Sequence, residues 1–177
     1  MTVTVFLGSS DGRDPAIREA LAELAAWIGK RGHTLVYGGS KVGLMGVLAE
    51  TAKAHGARVI GIEPQFFVDA CVQFDGADEL IVTPDMGVRK DRLIRMADAI
   101  VTFPGGVGTL EELGQALSML NLGHVAARCV VYNVNGYYDP IRSQLDRMVE
   151  AGFYREEARE RVIFAGTLSE VEAGIEG

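Results

Sequence analysis

Two pairs of charged neighbours, Arg89-Lys90 and Glu111-Glu112, have the clearest capacity for chemistry in this sequence. The two acids come directly after a glycine-rich run, Pro104-Gly105-Gly106-Val107-Gly108-Thr109. A carboxylate beside such a loop can stabilise developing positive charge or orient a water molecule. An arginine next to a lysine can pair with a phosphate or polarise a bound base. The spacing therefore favours a site for a phosphate-bearing ligand.

Both pairs also have a purely structural interpretation. Thr109 stands where a helix N-cap is expected, and Glu112, three residues later, would complete a capping box. Arg89-Lys90 also fits a solvated helix start, although the helix dipole favours acids there over cations. The residues alone leave the chemical and the structural interpretation of each pair open.

Glycine-rich loops follow three of the apolar runs, at residues 8–12, 38–46 and 104–109. Glycine lets the backbone come close to a ligand, and the free N–H groups of a following helix attract phosphate. One such loop would be weak evidence, because tight turns often need glycine for geometry alone. Three loops in one small chain favour a phosphate-bearing ligand. The dinucleotide fingerprint GxGxxG is absent after the first strand and the motif GxxxxGK[ST] is absent altogether, which disfavours NAD, FAD and P-loop chemistry.

Short apolar runs alternate with longer segments of helical periodicity along the chain. In the first such segment, Ile17, Leu21, Leu24 and Ile28 recur at the spacing of an amphipathic helix. The predicted strands are Val3–Leu7, Thr34–Tyr37, Arg58–Ile62, Leu80–Val82, Ala99–Phe103, Cys129–Tyr132 and Val162–Ala165. The predicted helices are Pro15–Lys30, Leu44–His55, Arg89–Ala97, Leu110–Leu120, Pro140–Glu150 and Ser169–Ile175. The segment Glu63–Glu79 is predicted to be a packed loop or short helix.

This alternation predicts an α/β fold: one domain over residues 1–177, with a doubly wound, mostly parallel sheet and helices on both faces. Ligands of such sheets bind beyond the carboxyl ends of the strands, near the topological switch point. All three glycine-rich loops follow strands. The predicted fold thus brings them to the edge of the sheet where a ligand is expected.

The composition excludes further classes of function. The chain has 177 residues, of which 48% are hydrophobic, and a net charge of −7, which disfavours a nucleic-acid-binding surface. No apolar stretch approaches the roughly 20 residues of a membrane span. The two cysteines form no CxxC pair, and no leader pattern or metal-ligand spacing is evident. We therefore expect a cytoplasmic protein that binds neither membrane, nucleic acid nor metal.

Nearly the whole chain resembles the LOG family, the cytokinin riboside 5′-monophosphate phosphoribohydrolases. The motifs that carry the resemblance are Gly43-Leu44-Met45-Gly46, Arg89-Lys90 and the Pro-Gly-Gly-x-Gly-Thr-x-x-Glu run at 104–112. Shorter matches are the opening Val5–Ser10, the later Asn133–Tyr138 and Glu150–Phe153. Where family members commonly have His-Glu or a similar pair before Arg-Lys, this chain has Gly87-Val88.

The resemblance implies a Rossmann-like homodimer or higher homo-oligomer that uses no metal and no redox cofactor. It implies hydrolysis of the N-glycosidic bond of a nucleoside 5′-monophosphate, with release of the free base and ribose 5-phosphate. Arg89 and Glu112 would be the catalytic pair, with the 5′-phosphate on the loop that ends at Thr109. The residues that it assigns to substrate binding are Met86, Lys90, Gly105, Gly106, Val107, Gly108, Thr109, Glu111 and Ser118.

Two other functions compete with this one. A carrier that binds a nucleotide or cofactor without turnover would need the glycines but not the acid–cation pair, so the pair favours the enzyme. A lysine decarboxylase would need a pyridoxal phosphate bound to a lysine, and none of Lys30, Lys41, Lys53 and Lys90 lies in a setting that suggests one. Whether the base is adenine or an N6-prenylated adenine stays open.

Overall fold

The computed structural model describes all residues, 1–177, and contains one seven-stranded sheet in which every neighbouring pair of strands is parallel. The strands are β1 (Thr2–Phe6), β2 (Thr34–Tyr37), β3 (Arg58–Pro64), β4 (Glu79–Thr83), β5 (Ala99–Thr102), β6 (Arg128–Tyr132) and β7 (Val162–Ala165). Their order across the sheet is β4-β3-β2-β1-β5-β6-β7. The chain therefore winds outward from β1 in one direction and from β5 in the other, which confirms the doubly wound prediction.

Helices cover both faces of this sheet, as a parallel sheet buried on both sides requires. They are α1 (Pro15–Lys30), α2 (Gly43–Ala54), α3 (Gln65–Asp69), α4 (Met86–Arg95), α5 (Val107–Asn121), α6 (Asp139–Glu150), α7 (Glu156–Glu160) and α8 (Leu168–Glu176). One face packs against α1, α2 and α8 in the largest buried apolar cluster. The other face packs against α4, α5 and α6 in two smaller clusters. None of the helices combines the length and hydropathy that crossing a bilayer demands.

Three element boundaries near the carboxyl edge differ from the sequence prediction. Helix α4 begins at Met86 and not at Arg89, because the Asp85 side chain accepts a hydrogen bond from the Val88 amide at 2.8 Å and caps it. Helix α5 begins at Val107 and not at Leu110. Strand β3 continues to Pro64 and is followed by the short helix α3, so Glu63 belongs to the sheet and not to a loop. All three boundaries lie at the edge of the sheet where ligands bind.

The switch point lies between β1 and β5, whose following loops diverge to opposite faces of the sheet. The two loops touch, since the Gly8 amide donates a hydrogen bond to the Pro104 carbonyl at 3.2 Å. A Cβ atom on Gly8 would lie 3.1 Å from the Gly105 Cα, so the backbones pass each other at close range. The fold therefore fixes the floor of a crevice beside the Pro104–Thr109 loop.

Candidate active site

A cavity of about 500 Å³ opens at this edge of the sheet, beyond the carboxyl ends of β1, β2, β3 and β5. Its volume lies within the range of about 300–1,000 Å³ that is typical of small-molecule sites. The lining residues come from the end of β3, from the loops after the strands, from α3 and from the first two turns of α2, α4 and α5. They are Leu7, Gly8, Ser9, Gly38, Ser40, Val42, Met45, Glu63, Phe67, Val72, Met86, Arg89, Lys90, Gly106, Val107, Gly108, Thr109, Glu111 and Glu112.

The Pro104–Thr109 loop leads into the N-terminus of α5 and presents backbone N–H groups to the cavity. The first N–H groups of a helix have no partner within it, and they attract anions. Two tyrosines support the loop from behind: Tyr137 donates its hydroxyl hydrogen bond to the Gly105 carbonyl at 2.7 Å, and Tyr138 donates to the Phe103 carbonyl at 2.9 Å. No acidic side chain lies in the first turn of α5. This end of the cavity is therefore suited to a phosphate group.

Arg89 and Glu112 form a buried ion pair in the wall of the cavity. The Arg89 Nη1 donates to the Glu112 Oε1 at 3.1 Å, and the two side chains are only 6% and 9% exposed. The remaining contacts of the guanidinium are to main-chain carbonyls: Nε donates to Ile62 at 2.9 Å and Nη2 to Gly38 at 3.3 Å. A Cβ on Gly38 would overlap this guanidinium, so glycine is required there. Arg89 is thus held at the carboxyl ends of β2 and β3 while it faces Glu112.

Burial and the neighbouring Arg89 shift the pKa of Glu112 in opposite directions. Burial raises the pKa of Glu112 above the ordinary glutamate value, and the positive charge of Arg89 with its hydrogen bond works against that rise. The Arg89 guanidinium supplies the positive charge that faces the Glu112 carboxyl in the wall of the cavity. Of the five N–H donors of the guanidinium, three have partners within the protein. The other two can bind a ligand in the cavity.

Lys90 and Glu111 form a second ion pair at the mouth of the cavity. The Lys90 ammonium donates to the Glu111 Oε1, and the lysine side chain is 13% exposed while the glutamate is 60% exposed. Met86 lines the same cavity from the first turn of α4. The structure therefore brings together both charged pairs, Met86 and the glycine loop, as the sequence prediction requires, and their chemical roles stay predictions.

The structure corrects the capping interpretation of Thr109 and Glu112. The N-cap of α5 is Gly106, without a side-chain hydrogen bond, and Thr109 lies inside the first turn. Thr109 is buried, and its hydroxyl lies so close to Gly105 that a Cβ at position 105 would overlap it. Because the Glu112 carboxylate pairs with Arg89, no capping box exists here.

Two further residues predicted for substrate binding lie outside the cavity lining. Gly105 belongs to the loop but does not line the cavity, and its carbonyl accepts the hydrogen bond from Tyr137. Ser118 lies on the exposed side of α5 and does not line the cavity of the same chain. The assignment of Ser118 came from the family resemblance, and its role in substrate binding stays a prediction.

The sequence prediction missed the opposite end of the cavity. Glu63 ends a buried strand there, and Phe67, Val72 and Met45 supply apolar side chains around it. The signal for Glu63 was present, since it is a carboxyl residue directly after the predicted strand Arg58–Ile62, and ligands of such sheets bind beyond the carboxyl ends of strands. Phe67 and Val72 carried no signal, because nothing in their local pattern places them beside a loop elsewhere in the chain. Nowhere does the structure gather three or more His, Cys, Asp or Glu residues in a group that could hold a metal ion.

Fold and site together define an α/β protein whose ligand cavity lies at the topological switch point of its sheet. A family model described as "Possible lysine decarboxylase" matches residues 45–174. The chain is 37% identical over 169 residues to the cytokinin riboside 5′-monophosphate phosphoribohydrolase LOG of Oryza sativa subsp. japonica, covering 96% of this chain and 70% of that one. The chain therefore belongs to the LOG family.

Solved structures share the fold. The X-ray structure of TM1055, a structural genomics target, superposes with a TM-score of 0.72 at 25% identity and covers 99% of both chains. The molybdenum cofactor carrier protein of Chlamydomonas reinhardtii superposes with a TM-score of 0.72 at 21% identity, covering 99% of this chain and 95% of that one. At this low identity the second likeness concerns the fold alone.

Proposed function

We propose that this protein is a nucleoside 5′-monophosphate phosphoribohydrolase. It hydrolyses the N-glycosidic bond of an adenosine-type or cytokinin nucleotide and releases the free base and ribose 5-phosphate. The observation that carries the proposal is the buried Arg89–Glu112 pair in the wall of a nucleotide-sized cavity, next to a glycine loop at a helix N-terminus. The relatives in the LOG family are named for this reaction.

The 5′-phosphate binds the backbone N–H groups at the start of α5, from Gly106 to Thr109, where the helix N-terminus attracts an anion. This anchor places the ribose over the next turn of α5, which carries Glu112. Met86 then lines the base pocket, with Lys90 and Glu111 at the mouth. The arrangement directs the glycosidic bond toward the Arg89–Glu112 pair.

Cleavage of a glycosidic bond passes through a sugar with positive charge at C1′. The Glu112 carboxylate stabilises that charge, and it also orients the water that attacks C1′. Arg89 holds the carboxylate in place and uses its two free N–H donors on the substrate. No metal and no redox cofactor enters these steps.

The competing functions account for fewer of these residues. A carrier without turnover needs the glycine loop but gives no reason for a buried ion pair facing the ligand. For a pyridoxal-dependent decarboxylase, the only lysine that lines the cavity is Lys90, and its ammonium is already paired with Glu111. The carrier is thus the second candidate, and turnover separates it from the enzyme.

The direct test is to incubate the purified protein with AMP and, separately, with N6-isopentenyl-AMP, and to separate the products by chromatography. We expect equal amounts of free base and ribose 5-phosphate from at least one of the two nucleotides. Tight binding of both nucleotides without any release of base would contradict the enzyme and favour the carrier.

We further propose that the protein, a single nucleotide-binding domain, works as a cytoplasmic homodimer or higher homo-oligomer. Two apolar side chains in the first turn of α5 are exposed in the single chain, Val107 by 86% and Leu110 by 40%, and Leu122, directly after the helix, is exposed by 65%. An exposed apolar surface of this kind is typical of an interface. Both cysteines are free, and Cys71 is exposed, which suits a reducing compartment. Light scattering should give at least twice the 19.0 kDa of one chain, and a monomer mass would contradict the assembly.

A further inference from the structure

Glu63 is a second buried acid in the cavity, and its carboxyl group has no partner in the protein. The residue is 1% exposed, and its Oε2 is buried without any hydrogen bond. Among the buried side-chain polar atoms that lack a partner, this oxygen alone belongs to a residue that lines the cavity. Buried polar groups in native proteins almost always form hydrogen bonds. An unsatisfied carboxyl oxygen in a residue that lines a ligand cavity therefore indicates that the ligand supplies the missing partner.

The backbone around Glu63 holds this carboxyl group in place. Gly39 adopts a φ of +89° against it, and a Cβ at position 39 would overlap the Glu63 Cγ. The Thr83 hydroxyl donates to the Glu63 main-chain carbonyl at 3.4 Å. The preceding carbonyl, that of Ile62, accepts the hydrogen bond from the Arg89 Nε. Hydrogen bonds therefore hold the main chain beside Glu63, and its side chain packs closely against Gly39.

The charges that face Glu63 leave its carboxyl unpaired. Arg89, from α4, is the nearest cation, but its hydrogen bonds go to Glu112 and to two main-chain carbonyls. The Tyr37 hydroxyl, from β2, donates to the Ser40 carbonyl at 3.2 Å. The remaining charged groups of the cavity, Lys90 and Glu111, pair with each other. Burial raises the pKa of the Glu63 carboxyl above the ordinary glutamate value, and the positive charge of Arg89 only partly offsets that rise.

The order of the strands places Glu63 at the base end of the cavity. Strand β3 lies three strand spacings from β5, which is about 14 Å across the sheet. That distance is close to the length of an extended nucleoside monophosphate. With the phosphate at the start of α5 and the sugar beside Glu112, the base reaches the apolar side chains of Met45, Phe67 and Val72, which line the cavity together with Glu63.

We propose that Glu63 is the general acid that protonates the departing base, an inference that rests on the proposed function. As the C1′–N bond breaks, its electron pair stays with the base, and the proton of the Glu63 carboxyl moves to a ring nitrogen of that base. Glu112 meanwhile stabilises the charge at C1′. Water then adds to C1′, and the proton that it loses restores Glu63. The sum is nucleotide plus water giving base plus ribose 5-phosphate, with no other reactant.

The proposal makes Glu63 essential only for a leaving group that must be protonated. The test therefore compares Glu63→Gln with the wild type on two substrates: the nucleotide that the wild type cleaves, AMP or N6-isopentenyl-AMP, and 4-nitrophenyl ribofuranoside 5-phosphate. The nitrophenolate leaves without a proton. We expect kcat for the nucleotide to fall by about 100-fold or more, the usual contribution of a general acid, with the nitrophenyl substrate cleaved at the wild-type rate.

Two further variants serve as controls for Glu63→Gln. Glu79→Gln removes an exposed carboxyl at the start of β4, away from the cavity, and should leave both rates unchanged. Glu63→Asp keeps the acid but withdraws it from the base, so its loss should again be confined to the nucleotide. Equal losses on both substrates, or full nucleotide activity in Glu63→Gln, would overturn the proposal. A wild type that cleaves neither nucleotide would instead overturn the proposed function, so the two failures are distinguishable.

Discussion

The two ends of the cavity are built in different ways. The end after β5 is made of backbone: glycines, the free N–H groups of α5 and a loop held by tyrosine hydroxyl groups. The end after β3 is made of side chains, with one unpaired acid among apolar groups. A phosphate is the same in every nucleotide and suits a fixed backbone cradle, whereas a base differs between nucleotides and is recognised by side chains. The Arg89–Glu112 pair lies between the two ends.

The largest effect is expected from Arg89→Ala, which removes the ion pair that lies between the two ends of the cavity. It would leave Glu112 buried without its partner and free two main-chain carbonyls. Loss of one partner of a buried ion pair costs about 3–5 kcal/mol in the free energy of unfolding, and we expect base release to be lost as well. Urea denaturation and product assays measure both. Arg92→Ala, an exposed position on the same helix, is the control. Wild-type stability in Arg89→Ala would contradict this account of the pair.

Gly105→Ala tests the backbone end alone. The added Cβ would overlap the Thr109 hydroxyl and lie 2.6 Å from the Gly8 amide nitrogen. We expect a loss of about 1–3 kcal/mol from overpacking, together with a raised KM, because the loop must shift. Gly114→Ala, where nothing lies within 4 Å of the new Cβ, should instead stabilise α5 by up to about 1 kcal/mol. If both variants behaved alike, the close packing of this loop would not matter.

The smallest expected effect is the pH dependence that Glu63, at the end of the cavity after β3, gives to the stability of the protein. Because burial raises the pKa of Glu63, the unfolded chain loses this proton at lower pH than the folded protein does. The stability of the wild type should therefore fall, relative to Glu63→Gln, as the pH rises from the ordinary glutamate pKa through the raised one. Urea titrations of both proteins over that range measure the difference. A wild type that gains stability relative to the variant would show that Glu63 folds as a paired carboxylate.

The difference between the two ends of the cavity also explains which parts of the site could be predicted from the sequence. The glycine loop and the charged pairs are local motifs, so Pro104–Thr109, Arg89 and Glu112 were identified from spacing and resemblance. The seven strands and the doubly wound sheet followed from the alternation of apolar runs, and the structure confirms them. One local pattern did not predict the structure. Thr109 and Glu112 have the spacing of a capping box, but Glu112 pairs with Arg89 from another helix.

The base end could not be predicted because it depends on contacts between distant segments. Gly39 must pack against Glu63, and Phe67 and Val72 must fold back over the cavity from a segment without clear periodicity. Only the position of Glu63 at the end of a buried strand was readable from the sequence. Ser118 was assigned to substrate binding by the family resemblance, and it does not line the cavity of the same chain.

Glu112→Gln gives the most direct test of the central claim, that Glu112 acts on the sugar by its charge. The change keeps the size of the side chain and a hydrogen-bonding oxygen for Arg89, but it removes the negative charge. Base release should fall by about 100-fold or more, the scale of losing one preorganised electrostatic group. Binding of the nucleotide, measured by calorimetry, should survive because the glycine loop holds the phosphate. Release of base at the wild-type rate by a folded Glu112→Gln protein would contradict the account.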